Sequence, residues 1–518
     1  MARLSVLTWI GNAAASLLGS HGAVTAQAKQ VDCSRQTIYD HADKVQAAVL
    51  ESQLPGPSRN DLLQENARLR EENRQLWEIL GTMVSFGEDR QQHLASAASA
   101  MGMSLAQIVA LLTIILGKPC CPSRAKVGRW VQASSARAGR LLSVLDQACQ
   151  VLVRTLALDE IFLHRQPVLM GVEPHSMTWV VGQRAKDRTG QTWAKAILPW
   201  AQMTYALVDG GTGLRRGLDL TLQQRQEAKS TVPLESNLDN FHIQQQGQKA
   251  LRMQWRQAEA VWQEAEHADR VVTQKAERQG RDARPEKSRA RWAWQRAEKA
   301  LAQAEKREAA YQRVVAALEM FHADGTLNDR ASARAAMQAA FKELPGPRWA
   351  KFERMAMDPR ALTFLDRLHR QLVAVEPRGE LREALVKLWQ ARHPWWRKKF
   401  AGHRERDGVL VAVRTHICRQ LDSNWEASYV AVSKVLRETV RASSVVECMN
   451  SVVRMHQARH RGLSQSLMDL KRLYWNCRTF AAGKRKERCP YEHLGLRLPT
   501  YDWWELLQMR LYLMRLVS

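Results

Sequence analysis

The segment Thr155-Leu156-Ala157-Leu158-Asp159-Glu160-Ile161-Phe162 is an apolar run with two acids at its centre. Its composition predicts a β-strand. A carboxylate in the middle of an apolar strand is costly to bury unless it is ionised against a metal or hydrogen-bonded. Asp159 is therefore a candidate metal ligand. Glu160 replaces it if the register is shifted by one, because alternate residues of a strand face opposite sides of the sheet.

The residues after this segment predict three more strands. Residues 167–173 and 177–183 are strand-like and are separated by the turn Pro174-His175-Ser176, while residues 187–198 have helical composition. A fourth strand, Tyr205-Ala206-Leu207-Val208-Asp209-Gly210-Gly211, ends in an acid and two glycines. Three hairpin-linked strands, a helix and another strand are the opening order of an RNase H-like fold.

Strand signals stop at about residue 248, and Ala, Glu, Gln, Arg and Lys dominate from there to about residue 440. This composition predicts a helical insertion that begins with an antiparallel pair of long helices. Helix resumes around residue 425 and contains a further group of polar residues. Glu447, Asn450 and Arg454 are spaced i, i+3 and i+7, which places them on one helical face.

A different signal lies near the N-terminus. Ala28, the turn Asp32-Cys33, the N-cap Ser34 and the apolar anchor Ile38 follow one another in the order that a helix-turn-helix requires, although Asp32 stands where Gly is commonest. An ordinary helical hairpin is the alternative. In a helix-turn-helix, the residues that begin the second helix would face a DNA groove or phosphates: Ser34, Arg35, Gln36, Thr37 and Tyr39.

A short coiled coil is predicted after the linker Leu54-Pro55-Gly56-Pro57-Ser58. Apolar residues recur there every seven positions: Leu62, Leu69, Leu76 and Met83. Asn66 and Asn73 fall at the inner a position, where Asn fixes the register and favours two parallel strands. The pattern therefore predicts a homodimer, and packing of the same stripe within one chain is the alternative.

Two further segments are candidates for DNA contact. Ser123 caps a basic helical segment that contains Arg124, Lys126 and Arg129, and a helical spacer is the alternative to a second helix-turn-helix there. In the segment 393–399, adjacent Trp395 and Trp396 with flanking cations suit base stacking and phosphate pairing. A Trp-rich plug of the core is the alternative for that segment.

Charge and cysteine content narrow the classes of partner and compartment. The 518 residues include 77 Lys and Arg against 52 Asp and Glu, a net charge of +25 that favours a polyanionic partner, nucleic acid before an acidic membrane surface. The eight cysteines form no CxxC pair and no zinc-like spacing, which is typical of a reduced cytosolic protein.

The first 28 residues resemble a signal peptide only superficially, and the longest apolar runs are too short for a membrane span.

Together these motifs resemble those of insertion-sequence transposases of the DDE class, which have an RNase H-like core. The resemblance covers roughly residues 150–250 and 425–495. Its elements are the first-strand acid motif Leu158-Asp159-Glu160, the second acid motif Leu207-Val208-Asp209-Gly210-Gly211, the D-x-F-H element Asp239-Asn240-Phe241-His242, and the final Glu helix from Ser444 to Arg454. The spacing between the second acid and the Glu is far above that of a minimal core, and the helical insertion explains it.

The resemblance implies metal-dependent DNA strand cleavage and strand transfer at element ends. Asp159, Asp209 and Glu447 would be catalytic and would hold two Mg²⁺ or Mn²⁺ ions. The supporting residues would be Asp239, His242, Asn450 and Arg454, with Asp239 also the alternative to Asp209. The partner would be double-stranded DNA, both element ends and target. A non-catalytic DNA-binding regulator and a domesticated, inactive transposase-like protein are the competing hypotheses.

The predicted fold class is thus α+β or α/β: an RNase H-like mixed-sheet core interrupted by a large helical insertion and preceded by all-α segments. We expect a cytoplasmic, nucleoid-associated protein with no membrane contact. The expected order is a helix-turn-helix region (1–53), a coiled coil (58–86), a second helical region (90–150), the first part of the core (151–247), the insertion (248–424), the second part of the core (425–495) and a tail (496–518).

Overall fold

The structure is a computed structural model that describes residues 5–51, 59–82, 86–278, 282–393, 404–459 and 462–509. The chain forms two compact units, Met1–Gly87 and Glu88–Ser518. The protein is α+β, with one mixed five-stranded sheet and many helices. Among the helices described, none combines the length and apolarity needed to cross a membrane.

The N-terminal unit begins with helices α1 (Val6–Leu17), α2 (Ala23–Gln30) and α3 (Arg35–Glu51), which pack against one another. Ile38 is fully buried and anchors α3. Asp32, in the turn between α2 and α3, adopts a left-handed φ of 48°, which an Asp tolerates better than most residues. The Ser34 side chain accepts a hydrogen bond from the Thr37 backbone N–H at 3.0 Å, so the predicted N-cap is present.

The remaining helix of this unit is α4 (Arg59–Thr82), a single run of 24 residues. In the single chain its heptad leucines are exposed to solvent: Leu62 is 57% exposed, and Leu69 and Leu76 are each 50% exposed. Met83, the last position of the predicted stripe, lies outside the described residues. The described part of the stripe is therefore not packed against the chain itself.

The sheet of the larger unit has the strand order β3-β2-β1-β4-β5. Its strands are β1 (Thr155–Leu163), β2 (Gln166–Glu173), β3 (Thr178–Arg184), β4 (Tyr205–Val208) and β5 (Glu235–Leu238). β2 is antiparallel to both of its neighbours, whereas β1, β4 and β5 are parallel. Helix α8 (Gly190–Ile197) lies between β3 and β4 along the chain, and α9 (Thr212–Glu227) forms the crossover that the parallel neighbours β4 and β5 require.

Helices upstream and downstream of the sheet pack on its antiparallel half. Before the sheet come α5 (Glu88–Met101), α6 (Leu105–Leu116) and α7 (Arg124–Gln150). After the insertion come α18 (Ser444–Arg459), α19 (Gln465–Cys477), α20 (Pro490–Leu494) and α21 (Trp503–Gln508). The helix Ser444–Arg459 packs on β1 and β2, and Gln465–Cys477 packs on β3, α5 and α7.

Side-chain amides of α19 (Gln465–Cys477) cover the edge strand β3. Asn476 accepts a hydrogen bond from the Trp179 backbone N–H at 2.8 Å and donates one to the Trp179 carbonyl at 3.0 Å. Gln465 likewise accepts from the Arg184 N–H and donates to the Gly182 carbonyl, both at 2.8 Å. The two amides satisfy edge groups that another strand would otherwise bind.

The insertion follows β5 directly. It begins with α10 (Asn240–Thr273) and α11 (Arg284–Ala317), which run antiparallel, since Trp255 bonds to Glu308 and Lys275 to Glu286. The later helices are α12 (Arg330–Phe341), α13 (Pro347–Ala356), α14 (Thr363–Val375), α15 (Gly379–Arg392), α16 (Arg404–Leu421) and α17 (Trp425–Glu438). Helices α14 to α17 enclose a core of their own around Leu385, Trp389 and Val432.

Candidate metal centre

Asp159 lies in the middle of β1 and is 5% exposed. Its Oδ2 accepts a hydrogen bond from Asn450 Nδ2 at 2.7 Å, and its Oδ1 accepts one from the Glu160 backbone N–H at 2.7 Å. Burial, reinforced by the negative charge of Asp209, raises the pKa of Asp159 to about 7. A bound cation would offset both the cost of burying this carboxylate and its repulsion by the neighbouring carboxylates.

Asp209 follows β4, the parallel neighbour of β1. Leu158 pairs with Val208, so the next residues, Asp159 and Asp209, lie side by side on neighbouring strands that are about 4.8 Å apart. Asp209 is half-buried, and its Oδ1 accepts a hydrogen bond from the Gly211 N–H at 2.8 Å. Gly210 turns the chain away at a φ of 85°, a conformation that favours glycine. The two aspartates therefore share one edge of the sheet.

Glu447 lies in the first turn of α18 (Ser444–Arg459) and reaches the same edge. Its Oε1 is 3.4 Å from Nε2 of His242, which lies in the first turn of α10 (Asn240–Thr273). The hydrogen bond from His242 lowers the pKa of Glu447 despite partial burial. Burial disfavours the His242 cation, but hydrogen bonds to Asp239 and Glu447 outweigh it and raise the His242 pKa to about 10.

Asp239 orients His242 and is itself held by two segments of the chain. It is fully buried, and its Oδ2 lies 2.5 Å from His242 Nδ1. Its Oδ1 caps α10 by accepting the Phe241 N–H at 2.9 Å, and it also accepts the Ser443 N–H at 3.0 Å across a separation of 204 residues. The Ser443 hydroxyl donates to Oδ2. With both oxygens engaged, Asp239 occupies a supporting position.

Ser443 also contacts this cluster, although its local sequence does not mark it as a functional residue. It precedes α18, and its carbonyl accepts the Val446 N–H at 2.8 Å as the helix begins. A Ser directly before a helix is a signal for an N-cap, but its side chain here serves Asp239 instead. The pairing of Asp239 with Ser443 fixes the start of the Glu447 helix against the start of the His242 helix.

One group of side chains has the composition and spacing of a cation site. Single ligand atoms of Asp159, His242 and Glu447 all lie within 4.8 Å of one another. An ion about 2.1 Å from each ligand holds neighbouring ligand atoms about 3 Å apart and opposite ones about 4.2 Å apart, so binding would draw these three side chains closer together. Asn450 Oδ1 is buried beside it and has no hydrogen-bond partner among the described residues, which leaves an acceptor for a water carried by such an ion.

The alternative to the first acid lies on the other side of β1. The Glu160 carboxylate pairs with Arg188 and accepts a hydrogen bond from the indole N–H of Trp193 at 3.3 Å. Its side chain is 7% exposed and faces α8. The alternation along β1 thus directs Asp159 toward the cluster and Glu160 away from it.

Asn450 and Arg454 occupy different positions on α18 (Ser444–Arg459). Asn450 is buried and bonds directly to Asp159. Arg454 is exposed, and its charge is one of the weaker contributions to the lowered pKa of Glu447. Asn450 therefore belongs to the cluster, and Arg454 lies at its solvent side.

The residues selected for DNA contact lie at several places. At the start of α3, Ser34, Arg35, Gln36 and Tyr39 are exposed and Thr37 is partly buried. Arg124 and Arg129 are exposed on α7, and Lys126 forms a 3.3 Å ion pair with Glu88. Trp395 and Trp396 lie outside the described residues.

Comparisons with protein-family models, curated proteins and solved structures return no match for this chain.

Proposed function

We propose that the chain is a DNA transposase of the DDE class, with an RNase H-like core that cleaves DNA strands at element ends and transfers them to a target. The observation that carries the proposal is the convergence of Asp159, Asp209 and Glu447 at one edge of a sheet ordered β3-β2-β1-β4-β5. These acids come from three distant segments, and the pKa of Asp159 responds to both of the others. The strand order supports the RNase H-like assignment.

Phosphodiester transfer places negative charge on the attacking and the leaving oxygen, and two Mg²⁺ or Mn²⁺ ions bound at this edge would supply the compensating charge. Asp159, Asp209 and Glu447 would hold these ions. His242 Nε2 faces Glu447 and offers a nitrogen ligand or a proton at this point. An imidazole among the carboxylates favours Mn²⁺ over Mg²⁺ more than a site of carboxylates alone would.

The surrounding residues hold these groups in place. Asn450 donates to Asp159 and fixes the plane of its carboxylate. Asp239 holds the His242 ring through Nδ1, a carboxylate–histidine pairing that leaves Nε2 directed into the cluster. The reacting DNA would reach the cluster from the solvent side of Glu447, where Arg454 is exposed and available to a phosphate.

Recognition of DNA would use the basic, exposed positions of both units. Arg35, Gln36 and Tyr39 lie on the helix that follows the α2–α3 turn, in the positions that contact bases in a helix-turn-helix. Arg124 and Arg129 add exposed charge to α7. The net charge of +25 makes many phosphate contacts favourable, so binding should weaken steeply as salt increases.

The test is metal-dependent cleavage of duplexes taken from the DNA that flanks the gene. The wild-type protein should nick these duplexes with Mg²⁺ or Mn²⁺, whereas Asp159→Ala, Asp209→Ala and Glu447→Ala should bind them and not cut. Glu227→Ala, which removes an exposed carboxylate from the last turn of α9, is the matched control and should cut normally.

Two outcomes contradict the proposal. A wild-type protein that binds the duplexes but never cuts them would instead be a DNA-binding regulator or an inactive relative of transposases. Variants of the three acids that cut as well as Glu227→Ala would remove the cluster from the reaction.

A further inference from the structure

Helix α4 (Arg59–Thr82) presents an apolar stripe to solvent. The side chains described along it, from residue 60 to residue 76, are all exposed, including Leu62, Leu69 and Leu76. Leucines repeated at seven-residue spacing on a solvated helix leave an apolar seam without a partner, and such a seam is stabilised by a second helix.

We propose that this seam is an interface with a second copy of the same chain, in which two α4 helices form a parallel, in-register, two-stranded coiled coil. Leu62, Leu69 and Leu76 occupy d positions, and Asn66 and Asn73 occupy a positions. Buried Asn at a costs stability but pairs with its equivalent across a parallel dimer, which selects two strands and one register.

The charges that flank the seam select the same orientation. With Leu62 at d, Glu65 falls at a g position and Arg70 at the e position five residues later. In a parallel dimer, Glu65 of each chain lies opposite Arg70 of the other, which gives two attractive pairs. An antiparallel dimer would bring the g positions together and place the acids Glu65 and Glu72 near one another.

The ion pairs within α4 leave this pairing possible. Arg68 pairs with Glu65 at 2.9 Å and with Glu72 at 3.8 Å, and all three side chains are at least half exposed. Such exposed pairs are weak and exchange readily, so Glu65 can pair with Arg70 of a second copy. The dimer would carry two copies of the α1–α3 bundle, one at the head of each α4 strand.

The first experiment measures the mass of the full-length protein by sedimentation at micromolar concentrations. The wild type should be a dimer. Leu69→Lys places a charge in the seam and should give a monomer, while Gln64→Lys places the same charge at an outward f position and should leave the dimer intact. Circular dichroism should show that the rest of the fold is retained in both variants, with at most a small loss of helix from α4 in Leu69→Lys, because residue 69 is already half exposed in the single chain.

The second experiment tests orientation by charge exchange. Glu65→Arg and Arg70→Glu each turn two attractions into repulsions and should each weaken the homodimer about ten-fold, or about 1.4 kcal/mol. A mixture of the two single variants restores both attractions and should form heterodimers in preference to either homodimer. The double variant Glu65→Arg with Arg70→Glu should dimerise like the wild type.

A monomeric wild type would overturn the proposal, as would a Leu69→Lys protein that stays dimeric, since dimerisation would then use another surface. Failure of the mixed variants to prefer one another would overturn the parallel pairing. None of these outcomes depends on cleavage, so the dimer and the proposed enzymatic function stand or fall separately.

Discussion

Asp159→Asn should make the metal-free protein more stable at pH 8, although it removes a group from the candidate metal centre. Asp159 is buried beside Asp209 and Glu447, and its pKa is raised from 3.8 to about 7 by burial first and by those charges second. At about 1.4 kcal/mol per pH unit, ionising this group in the folded protein costs roughly 4 kcal/mol of stability at pH 8. Asparagine loses the hydrogen bond from the Glu160 N–H, worth about 1 kcal/mol, so the expected net gain is about 3 kcal/mol.

The sign of the pH dependence follows from the raised pKa. Between pH 3.8 and about 7 the folded protein holds a proton that the unfolded chain releases, so wild-type stability falls as the pH rises through this window. Asp159→Asn lacks this titration. The stability difference between the variant and the wild type should therefore be small at pH 5 and largest at pH 8.

The assay is urea unfolding of both proteins in EDTA at pH 5 and pH 8, repeated at pH 8 with Mn²⁺. Metal that binds the folded state at 100 times its dissociation constant adds about 2.7 kcal/mol, and this gain should be large for the wild type and small for Asp159→Asn. Glu227→Gln, at an exposed site, should show neither effect. A variant that is less stable than the wild type at pH 8 in EDTA, or a difference that does not change with pH, would refute the reasoning.

Two further substitutions test the helix Gln465–Cys477. Asn476→Leu leaves the buried N–H and carbonyl of Trp179 without partners and should destabilise the folded protein by about 2–4 kcal/mol in urea unfolding; an unchanged midpoint would show that the edge of β3 does not need the amide. Lys471 donates a hydrogen bond to the Ala100 carbonyl, and burial lowers its pKa to about 7, so wild-type stability should rise between pH 7 and pH 10.5. Lys471→Met should therefore be the more stable protein at pH 7 and should lose that advantage by pH 10.5. A stability difference that does not change with pH would contradict the lowered pKa of Lys471.

The strands β1 to β4 could be predicted from sequence because each is an apolar run bounded by a turn or by glycines. The fifth strand, β5 (Glu235–Leu238), could not, since three of its four residues are polar. Asn237 is nevertheless fully buried there, because its side chain donates to the Leu238 carbonyl and accepts the Phe364 N–H at 2.9 Å. The Phe364 partner comes from the insertion and is not readable from the strand itself.

Some residues of the candidate site could be predicted from local sequence, and others could not. The acids Asp159 and Glu447 stand in local contexts that mark them, a strand interior and a helix face. The choice between Asp159 and Glu160 depends on which side of β1 faces α8, and Trp193 and Arg188 decide this only once the chain has folded. A one-residue ambiguity in a strand is resolved by tertiary contacts rather than by composition.

Ser443 lay beyond sequence reasoning for a related reason. Its role exists only because its hydroxyl and N–H meet Asp239 across 204 residues. Nothing in the local pattern distinguishes that serine from an ordinary helix cap. Periodicity and spacing cannot predict a contact between residues so far apart in the sequence.

The same contact explains how a long insertion and a compact site can coexist. Asp239 caps α10, the first helix of the insertion, and binds Ser443 immediately before the helix that carries Glu447. The Asn240 N–H also donates to the Arg441 carbonyl at 3.0 Å, so the two ends of the insertion are joined beside the cluster. This junction therefore fixes the start of the Glu447 helix beside the start of the insertion. Because the junction also orients His242, its geometry sets the position of two candidate ligands at once, which makes it the part of the insertion on which the site depends most.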